Sequence, residues 1–441
     1  MTYSEAIKFL YNSTPAFERV GASAYKEGLN NTIALDRHFG SPHRDYKTIH
    51  VAGTNGKGSC SHTIASILQK SGYRVGLYTS PHLIDFRERI KVNGVCISEK
   101  YVVDFVNNER EFFAPLHPSF FEITTAMAFD YFSHEKVDVA VVEVGLGGRL
   151  DCTNIITPIL SIITNISFDH TQFLGNTLSD IAREKAGIIK CGVPVVIGEI
   201  TDETKLVFTQ KAASTCSKLI IAEESREVTS STPILPIGRV YETLHYGTIH
   251  GDLSGDYQER NMNTVLNAVG QLKECCGLHI TYEAVREGVA NVALSTGLMG
   301  RWQVLGHRPL IVCDTGHNVA GWSYLSKQIV RQQYRTLRIV FGMVDDKDIS
   351  TVMSMLPKEA IYYWTAPSTK RAIPSGKVQE IGHSHALHGD SFADVPTAYE
   401  SAMCSSSPDD MIFIGGSSYV VADLLSYLRS RMVKNAHVNN F

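Results

Sequence analysis

A glycine-rich stretch, HVAGTNGKGSC at residues 50–60, places a lysine where it could bind phosphate. The phosphate-loop pattern is G-x-x-x-x-G-K-[ST]; here Val51 stands in place of the first glycine and Gly58 in place of the hydroxyl residue. A strand-like segment precedes the stretch, and a helix-like segment follows it from near Ser59. Glycines let the backbone approach an anion closely, and a helix start offers free N–H groups. The stretch therefore predicts a phosphate loop, with an ordinary glycine-rich turn as the alternative.

Two side chains of this loop could bind the phosphates of a nucleotide or the metal ion that accompanies them. Lys57 can reach the terminal phosphates of a nucleotide, and the hydroxyl of Ser59 can help to hold Mg²⁺. The residues expected to bind nucleotide in the loop are Gly53, Thr54, Asn55, Gly56, Lys57, Gly58 and Ser59.

Polar residues also follow other apolar runs. Glu143 ends DVAVVEVG, His170 follows ILSIITNI, and Ser80 lies after YRVGLYT. Open parallel sheets bind ligands at the carboxyl ends of their strands. With Ser59, these side chains form a candidate Mg²⁺ site that phosphates would complete. The alternative is a surface glutamate and a hydrogen-bonded histidine, because histidine is not the usual ligand of magnesium.

Taken together, several stretches resemble the folate branch of the Mur ligase superfamily, which comprises dihydrofolate and folylpolyglutamate synthases. The resemblance runs from the first helix to near residue 425. Besides the loop GTNGKGS, it is carried by TSPHLIDFRERIKVNG (79–94), EVGLGGRLDCTN (143–154), SFDHTQFLGNTLSDIAREKAGIIK (167–190), DTGHNVAG (314–321) and SSYVVADLL (417–425).

This resemblance implies an ATP-dependent amide ligase that joins glutamate to a pteroate or folate carboxylate through an acyl phosphate. MgATP and small-molecule substrates are then expected, with no nucleic acid or membrane partner, and we expect a monomer. The resemblance also implies that Lys185, in REKAGIIK, reacts with CO₂ to form a carbamate beside the metal site. Burial and nearby cations would have to lower the pKa of that lysine.

The resemblance assigns nucleotide-binding roles outside the loop as well. Asp314 and His317, in DTGHN, are implied on the γ-phosphate side of ATP, with His317 acting electrostatically as a catalytic residue. Arg301 in GRWQ would reach the nucleotide from the linker, and Asn261 matches a position near ATP. The matching family motif often has a histidine where this chain has Tyr257.

Three further residues fall where family members build the pterin pocket: Phe121, Asp151 and Cys152. An aromatic ring and a carboxylate suit a flat heterocycle with N–H donors. A core phenylalanine and a helix-capping aspartate are equally compatible with these residue types.

The elements that must position these residues alternate between short β-branched runs and helix-like stretches, which predicts an α/β fold. We expect a mostly parallel, phosphate-loop-type sheet domain over residues 1–296 that holds the folate site. A smaller Rossmann-like α/β domain would follow over residues 297–441, with the active site in the cleft between them. Residues 226–256 are rich in Thr, Ser, Pro and Gly and predict short strands and turns.

Composition limits the classes of protein that remain. The chain has 441 residues, 44% hydrophobic content and a net charge of −4, which gives no basic field for nucleic acid. Nine cysteines without a C-x-x-C spacing favour a reducing compartment over a disulfide scaffold or zinc site. The N-terminus lacks the pattern of a signal peptide, and no apolar run could span a bilayer. We therefore expect a cytoplasmic protein.

Two other functions compete with the folate ligase. A peptidoglycan-building Mur ligase uses the same chemistry, but its separate substrate domain precedes the loop, and only 52 residues do so here. A phosphate-loop kinase or nucleotide switch would not account for a second α/β domain with its DTGHN strand end. Release of ADP that depends on glutamate would distinguish a ligase from a switch.

Overall fold

The computed structural model of the chain describes residues 1–12 and 28–438. They form two compact units. The first unit comprises Met1–Thr232, Arg239–Asp252 and Tyr257–Leu298; the second comprises Pro233–Gly238, Leu253–Asp256 and Met299–Phe441. The sequence predicts a domain boundary after residue 296, and the last segment of the first unit ends at Leu298.

An eight-stranded sheet forms the centre of the first unit, in the order β4-β3-β2-β5-β1-β6-β7-β8. The strands from β2 to β8 in that order run parallel, and β3 and β4 extend one edge as an antiparallel pair. The predicted mostly parallel sheet is therefore confirmed. The strands are β1 Lys47–Ala52, β2 Val75–Tyr78, β3 Ile90–Val92, β4 Val95–Cys96, β5 Val139–Glu143, β6 Leu160–Ile163, β7 Val195–Ile197 and β8 Leu219–Ile221.

Helices connect these strands and cover both faces of the sheet. The described helices of the first unit are α1 Tyr3–Asn12, α2 Asn30–His38, α3 Lys57–Lys70, α4 Glu99–Leu116, α5 Phe120–His134, α6 Thr171–Leu174, α7 Leu178–Ala186, α8 Asp202–Ser214, α9 Ala222–Ser225, α10 Gln258–Glu274, α11 Tyr282–Ala290 and α12 Val292–Thr296. Short 3₁₀ helices lie at Pro42–Arg44, Phe86–Arg89 and Cys152–Ile155.

The central strand β5 is apolar from Val139 to Val142 because both of its faces are buried. Val139 and Val141 of β5 belong to the apolar core that α3 and α10 cover, while Ala140 and Val142 belong to the core on the opposite face. Side chains alternate across a strand, so a strand between two helical layers needs an unbroken apolar run. The DVAVVEVG run around β5 has this pattern.

A small three-stranded sheet of order β11-β10-β9 follows, as the composition of residues 226–256 predicts. Its strands are β9 Val228–Pro233, β10 Arg239–Thr243 and β11 Thr248–Gly251.

The second unit contains a six-stranded sheet of order β12-β13-β17-β14-β15-β16, parallel except for β12. This confirms the predicted second α/β domain. Its strands are β12 Gln303–His307, β13 Leu310–Cys313, β14 Leu337–Phe341, β15 Ile361–Trp364, β16 His388–Ser391 and β17 Met411–Gly415; its helices are α13 Val319–Val330, α14 Ile349–Met355, α15 Ser375–Ser384, α16 Val395–Cys404 and α17 Ser418–Val438.

None of the helices in the described ranges combines the length and apolar character that a membrane span requires.

The close packing of α11 against α3 depends on a glycine. A Cβ atom at Gly288 would lie 2.6 Å from Cα of Ile67, and the hydroxyl of Ser66 donates to the Gly288 carbonyl at 2.7 Å. The helix that begins at the phosphate loop is therefore held at its middle by backbone contact.

We expect Gly288→Ala to destabilise the first unit by roughly 1–3 kcal/mol, because the helices must separate to admit the methyl group. Gly270→Ala is the matched control: a Cβ there has open space, and alanine favours a helix over glycine by roughly 0.5–1 kcal/mol. Urea unfolding followed by far-ultraviolet circular dichroism measures both. Equal urea concentrations at the unfolding midpoints of the two variants would contradict the conclusion that α11 packs closely against α3 at Gly288.

Candidate active site

Four neighbouring parallel strands of the first unit end at one edge of the sheet. In the order β2-β5-β1-β6, each is followed directly by residues that the sequence singles out. The register of the strands shows which residues are neighbours across the sheet. Tyr78 of β2 pairs with Val142 of β5, and Val51 of β1 pairs with Glu143 of β5. The phosphate loop, Ser80 and the segment ending at His170 therefore follow strands that end at this edge, and Glu143 is the last residue of β5.

The loop after β1 is shaped by two glycines in the positive-φ region. Gly53 has φ 144°, and a Cβ there would lie 1.8 Å from Thr164 Oγ1. Gly56 has φ 84°, and a Cβ there would lie 2.3 Å from Asn261 Oδ1. No side chain fits at either position, so these glycines let the loop lie against β6 and α10. The contact also places Asn261 directly beside the loop.

The segment after β6 holds the loop in shape. Backbone N–H of Thr54 donates to the carbonyl of Asn165 at 3.0 Å, and that of Asn55 donates to Asn165 Oδ1 at 2.9 Å. The Thr54 hydroxyl donates to the Ser167 carbonyl and accepts from its N–H, both at 3.1 Å. Asn165 was not predicted as a functional residue, although its position just after the buried strand β6 was a usable signal.

Two lysines meet at one carbonyl oxygen of this loop. Lys57 Nζ donates to the carbonyls of Gly53 at 3.0 Å and Thr54 at 3.1 Å. Lys185 Nζ donates to the same Gly53 carbonyl at 3.0 Å. Lys185 is only 4% exposed, and burial, followed by the Lys57 cation, lowers its pKa to about 7. A substantial fraction of Lys185 is therefore a neutral amine at neutral pH.

Glycines also explain how Lys185 comes to be buried. A Cβ at Gly148 would lie 2.8 Å from the Glu184 carbonyl, and one at Gly187 would lie 2.4 Å from Cα of Arg149. The Arg149 N–H donates to the Glu184 carbonyl at 2.8 Å. The loop that follows β5 therefore packs against the carboxyl-terminal end of α7. Helix α7 spans Leu178–Ala186 and ends just after Lys185.

Ser59, on the first turn of α3, is 1% exposed and joins a polar chain from α10. Asn261 Nδ2 donates to Gln258 Oε1 at 2.8 Å, and Gln258 Nε2 donates to Ser59 Oγ at 3.2 Å. Gln258 was not predicted, since a glutamine near a helix start has no distinctive pattern.

The other candidate metal ligands lie on, or follow, strands that neighbour β1 or β5 in the sheet. Glu143 is 4% exposed at the last position of β5, and Ser80 is half-buried two residues after β2. His170 occupies the left-handed position before α6, with its ring 3.8 Å from the Asp169 carboxylate. Within the described ranges, no three His, Cys, Asp or Glu side chains cluster as a ready metal site. A cation here would need hydroxyl and phosphate oxygens in addition to Glu143.

Phe121 and Asp151 flank the loop that follows β5. A Cβ at Gly145 would lie 2.4 Å from Cζ of Phe121, so the ring rests on that backbone. Asp151 caps the Cys152–Ile155 turn: its carboxylate accepts from the N–H and hydroxyl of Thr153 and, at 2.8 Å, from the N–H of Leu146. Burial raises the pKa of the Asp151 carboxyl and of the Cys152 thiol. The capping alternative therefore describes what Asp151 does in the fold, and its role toward substrate stays a prediction.

In the second unit, Asp314 holds the loop after β13 with both carboxylate oxygens. It is 2% exposed and accepts from the N–H groups of Trp302 at 2.7 Å and Gly316 at 2.8 Å. His317 Nδ1 donates to the Thr315 carbonyl at 3.0 Å, which places the hydrogen on Nδ1 in the neutral ring. Arg301 donates to the Thr315 hydroxyl. Arg301, Asp314 and His317 therefore share one loop system.

Two family models match the chain. The Mur ligase middle domain matches residues 51–232, and the glutamate ligase domain of Mur ligases matches residues 300–418.

Relatives with assigned functions cover nearly the whole chain. The folylpolyglutamate synthase of Lacticaseibacillus casei is 32% identical and covers 96% of this chain and 97% of its own length. The dihydrofolate synthase/folylpolyglutamate synthase of Bacillus subtilis is 33% identical and covers 92% of this chain and 95% of its own length. A probable bifunctional folylpolyglutamate synthase/dihydropteroate synthase of Haloferax volcanii is 31% identical over 99% of this chain. The chain spans 52% of the length of that relative.

Solved structures share the same fold. Escherichia coli FolC in complex with DHPP and ADP superposes with a TM-score of 0.82 at 27% identity, covering 98% of this chain and 99% of that chain. A bifunctional folylpolyglutamate synthase/dihydrofolate synthase with Mn, AMPPNP and L-glutamate bound gives a TM-score of 0.80 at 28% identity. The match covers 97% of this chain and 98% of that chain.

The capping role of Asp151 predicts a loss of stability on truncation. Asp151→Ala should cost roughly 1–3 kcal/mol, because the two buried donors of Thr153 and the N–H of Leu146 lose their acceptor. Ser98→Ala is the control, since Ser98 caps α4 at an exposed position through one bond to Tyr101 N–H and should cost about 1 kcal/mol or less. Thermal unfolding of both variants tests this. Unchanged stability in Asp151→Ala would show that the capping bonds contribute little.

Proposed function

The chain belongs to the Mur ligase family, in the branch of the folylpolyglutamate and dihydrofolate synthases, and we propose that it adds L-glutamate both to dihydropteroate and to reduced folates. It is an ATP-dependent ligase that joins glutamate to folates. The observation that best supports the proposed chemistry is the meeting of Lys57 and Lys185 on the Gly53 carbonyl of a preformed phosphate loop.

The reaction we propose has two steps. An oxygen of the folate carboxylate attacks the γ-phosphorus of ATP, ADP leaves, and an acyl phosphate forms. The amine of glutamate then attacks the acyl carbon and loses a proton, and phosphate leaves with the electrons of its bond to carbon. Such chemistry needs placement and charge neutralisation rather than a nucleophilic side chain.

Lys57 is proposed to neutralise the transferring phosphate. In the described structure its ammonium already lies over the loop, on two neutral carbonyls. Phosphate oxygens are stronger, charged acceptors, so the lysine exchanges these carbonyls for phosphate when nucleotide binds. The backbone N–H groups at the start of α3 add donors for the same anion.

Mg²⁺ fits the donor set of Ser59, Ser80, Glu143 and His170 only in part. The buried Glu143 carboxylate and the serine hydroxyls are oxygen donors of the kind Mg²⁺ prefers, whereas an imidazole is an unusual ligand. The relative with Mn and AMPPNP bound supports a divalent metal with the nucleotide. When bound, the metal would neutralise phosphate charge, and we propose that these four residues hold it.

Lys185 is proposed to carry a carbamate. Carbamate formation requires the neutral amine, and the lowered pKa of Lys185 supplies it near neutral pH. The reaction joins the amine nitrogen to the carbon of CO₂ and releases one proton. It converts a group that competes with Lys57 for one carbonyl into an anion that attracts Lys57, which favours the modified state electrostatically.

The remaining predicted residues stay proposals for the same reaction. Arg301, Asp314, His317 and Asn261 are proposed to serve the nucleotide, with Asp314 acting by holding the loop that presents His317. Phe121, Asp151 and Cys152 are proposed at the pterin end of the substrate. The active site expected in a cleft between the two domains, the monomeric state and the cytoplasmic location also stay predictions.

The competing functions are less favoured. Coverage of nearly the whole chain by folate ligases leaves no feature that calls for a peptidoglycan substrate. A kinase or switch would leave the glutamate ligase domain at residues 300–418 without a purpose.

Purified protein with MgATP and glutamate, offered dihydropteroate and a reduced folate in separate assays, tests the function. ADP release that needs glutamate, with each product one glutamate longer than its substrate, is expected in both. Activity with only one substrate would restrict the proposal to that reaction. No glutamate-dependent ADP with either would overturn it.

Lys57→Ala should lower kcat/KM by about 10²-fold or more, because the transferring phosphate loses a fixed positive charge. Lys70→Ala, at the exposed end of the same helix, is the control, since it loses only a surface contact of 3.7 Å to Glu287. ADP release and thermal unfolding should be measured for both. Near-normal turnover in Lys57→Ala would refute the phosphate-loop assignment.

Carbamylation of Lys185 should be visible with ¹³C-labelled bicarbonate as a carbamate resonance in the carbon NMR spectrum. The signal should grow as pH rises from ~6 to ~8, because the neutral fraction of an amine with a pKa of about 7 rises in that window. Lys185→Glu should retain more ligase activity than Lys185→Ala, since it restores a negative charge.

Lys211→Ala, on the surface helix α8, is the matched control and should keep the resonance. Absence of a carbamate signal in the wild type, or an equal signal in Lys185→Ala, would rule out the modification at this site.

A further inference from the structure

We propose that Cys191 and Cys216 form a reversible disulfide that links two facing turns at the amino-terminal edge of the first sheet. Cys191 lies in the turn before β7, and Cys216 lies between α8 and β8. The two strands are parallel neighbours, with Val195 paired to Leu219. The inference is independent of the reaction the protein catalyses.

Two hydrogen bonds enclose the pair of cysteines. The N–H of Gly192 donates to the Thr215 carbonyl at 2.8 Å, and the hydroxyl of Ser217 donates to the Lys190 carbonyl at 3.0 Å. These bonds hold residues 190–192 alongside residues 215–217. Cys191 and Cys216 are the middle residues of the two facing segments.

This arrangement suits a disulfide. The bonds between residues 192 and 215 and between residues 190 and 217 lie on either side of the two cysteines and hold their backbones close together. Disulfides form when Cα atoms are roughly 4.4–6.8 Å apart. Cys216 has φ 50° at the end of α8, and Cys191 precedes Gly192, which has φ 71°, so both cysteines lie at the apex of a turn.

Both thiols are accessible and unbridged. Cys191 and Cys216 are exposed, whereas Cys60 and Cys313 are buried and sealed from solutes. A small-molecule disulfide, such as oxidised glutathione, can therefore reach the pair.

The chemistry is thiol–disulfide exchange in two steps. The thiolate of one cysteine attacks a sulfur of the small disulfide, forms a mixed disulfide and expels one small thiolate. The second cysteine, as thiolate, attacks the protein sulfur of the mixed disulfide, forms the Cys191–Cys216 bond and expels the other. The protein loses two protons and two electrons, and the small disulfide is reduced to two thiols.

Such a bond would close a loop that contains β7 and α8. Cross-linking constrains the unfolded chain and so favours the folded state. The bond lies at the edge of the sheet opposite the phosphate loop, because β7 runs parallel to β1 and β6. Oxidation should therefore raise resistance to heat while leaving turnover nearly unchanged.

Peptide mapping gives a direct test. Trypsin cleaves after Lys190, Lys205, Lys211 and Lys218, so the two cysteines fall in separate peptides, 191–205 and 212–218, each with no other cysteine. After incubation of the full chain with oxidised glutathione, we expect these two peptides joined, and separated again by dithiothreitol. The joined species should be lost in Cys191→Ser and Cys216→Ser and kept in Cys275→Ser and Cys404→Ser.

Thermal unfolding supplies a second measurement. The oxidised wild type should unfold several degrees above the reduced wild type, and Cys216→Ser should show no such difference. Separate glutathione adducts on the two peptides, bridges to other cysteines, or thiols that stay reduced would each overturn the proposal.

Discussion

The close approach of Gly53 to Thr164 is the contact on which the arrangement of the first unit depends. Because no side chain separates the two, the backbone leaves β1 in contact with the loop that follows β6. The carbonyl of this same glycine accepts hydrogen bonds from Lys57 and Lys185. An alanine at this position would push the loop away from β6, and the two lysines would lose the acceptor that brings them together.

Both units hold their strand-end loops with buried polar side chains. Asp151 in the first unit and Asp314 in the second each accept backbone N–H groups from two parts of the chain. Asn165 does the same work for the phosphate loop. A loop fixed in this way loses little entropy when it binds a ligand, which is how a rigid α/β sheet can present residues from several strands to one reaction.

The sequence predicts those parts of the fold in which local pattern and burial agree. The runs that became β1, β5, β6, β13, β14 and β17 are mostly apolar, and they are buried at nearly every position because both faces are covered. Strands β4, β8, β12 and β16 were not predicted. Each lies at a sheet edge, is short or polar, and has one neighbour rather than two, so no apolar run is needed. The burial of Lys185 is implied only by the family resemblance and not by the local sequence pattern, because it depends on contacts of Gly148 and Gly187 with residues distant in the chain.

The position of Lys57 in the described structure has a thermodynamic consequence. Its ammonium is ordered before any nucleotide arrives, since two loop carbonyls already accept from it. Capture of a phosphate then replaces two neutral acceptors by an anionic one and immobilises little additional side chain. The contribution of Lys57 to the enthalpy of nucleotide binding is consequently a difference between two sets of hydrogen bonds. That difference is smaller than the strength of the lysine–phosphate contact itself. Calorimetric comparison with a chain lacking this lysine reports that difference, not the intrinsic strength of the contact.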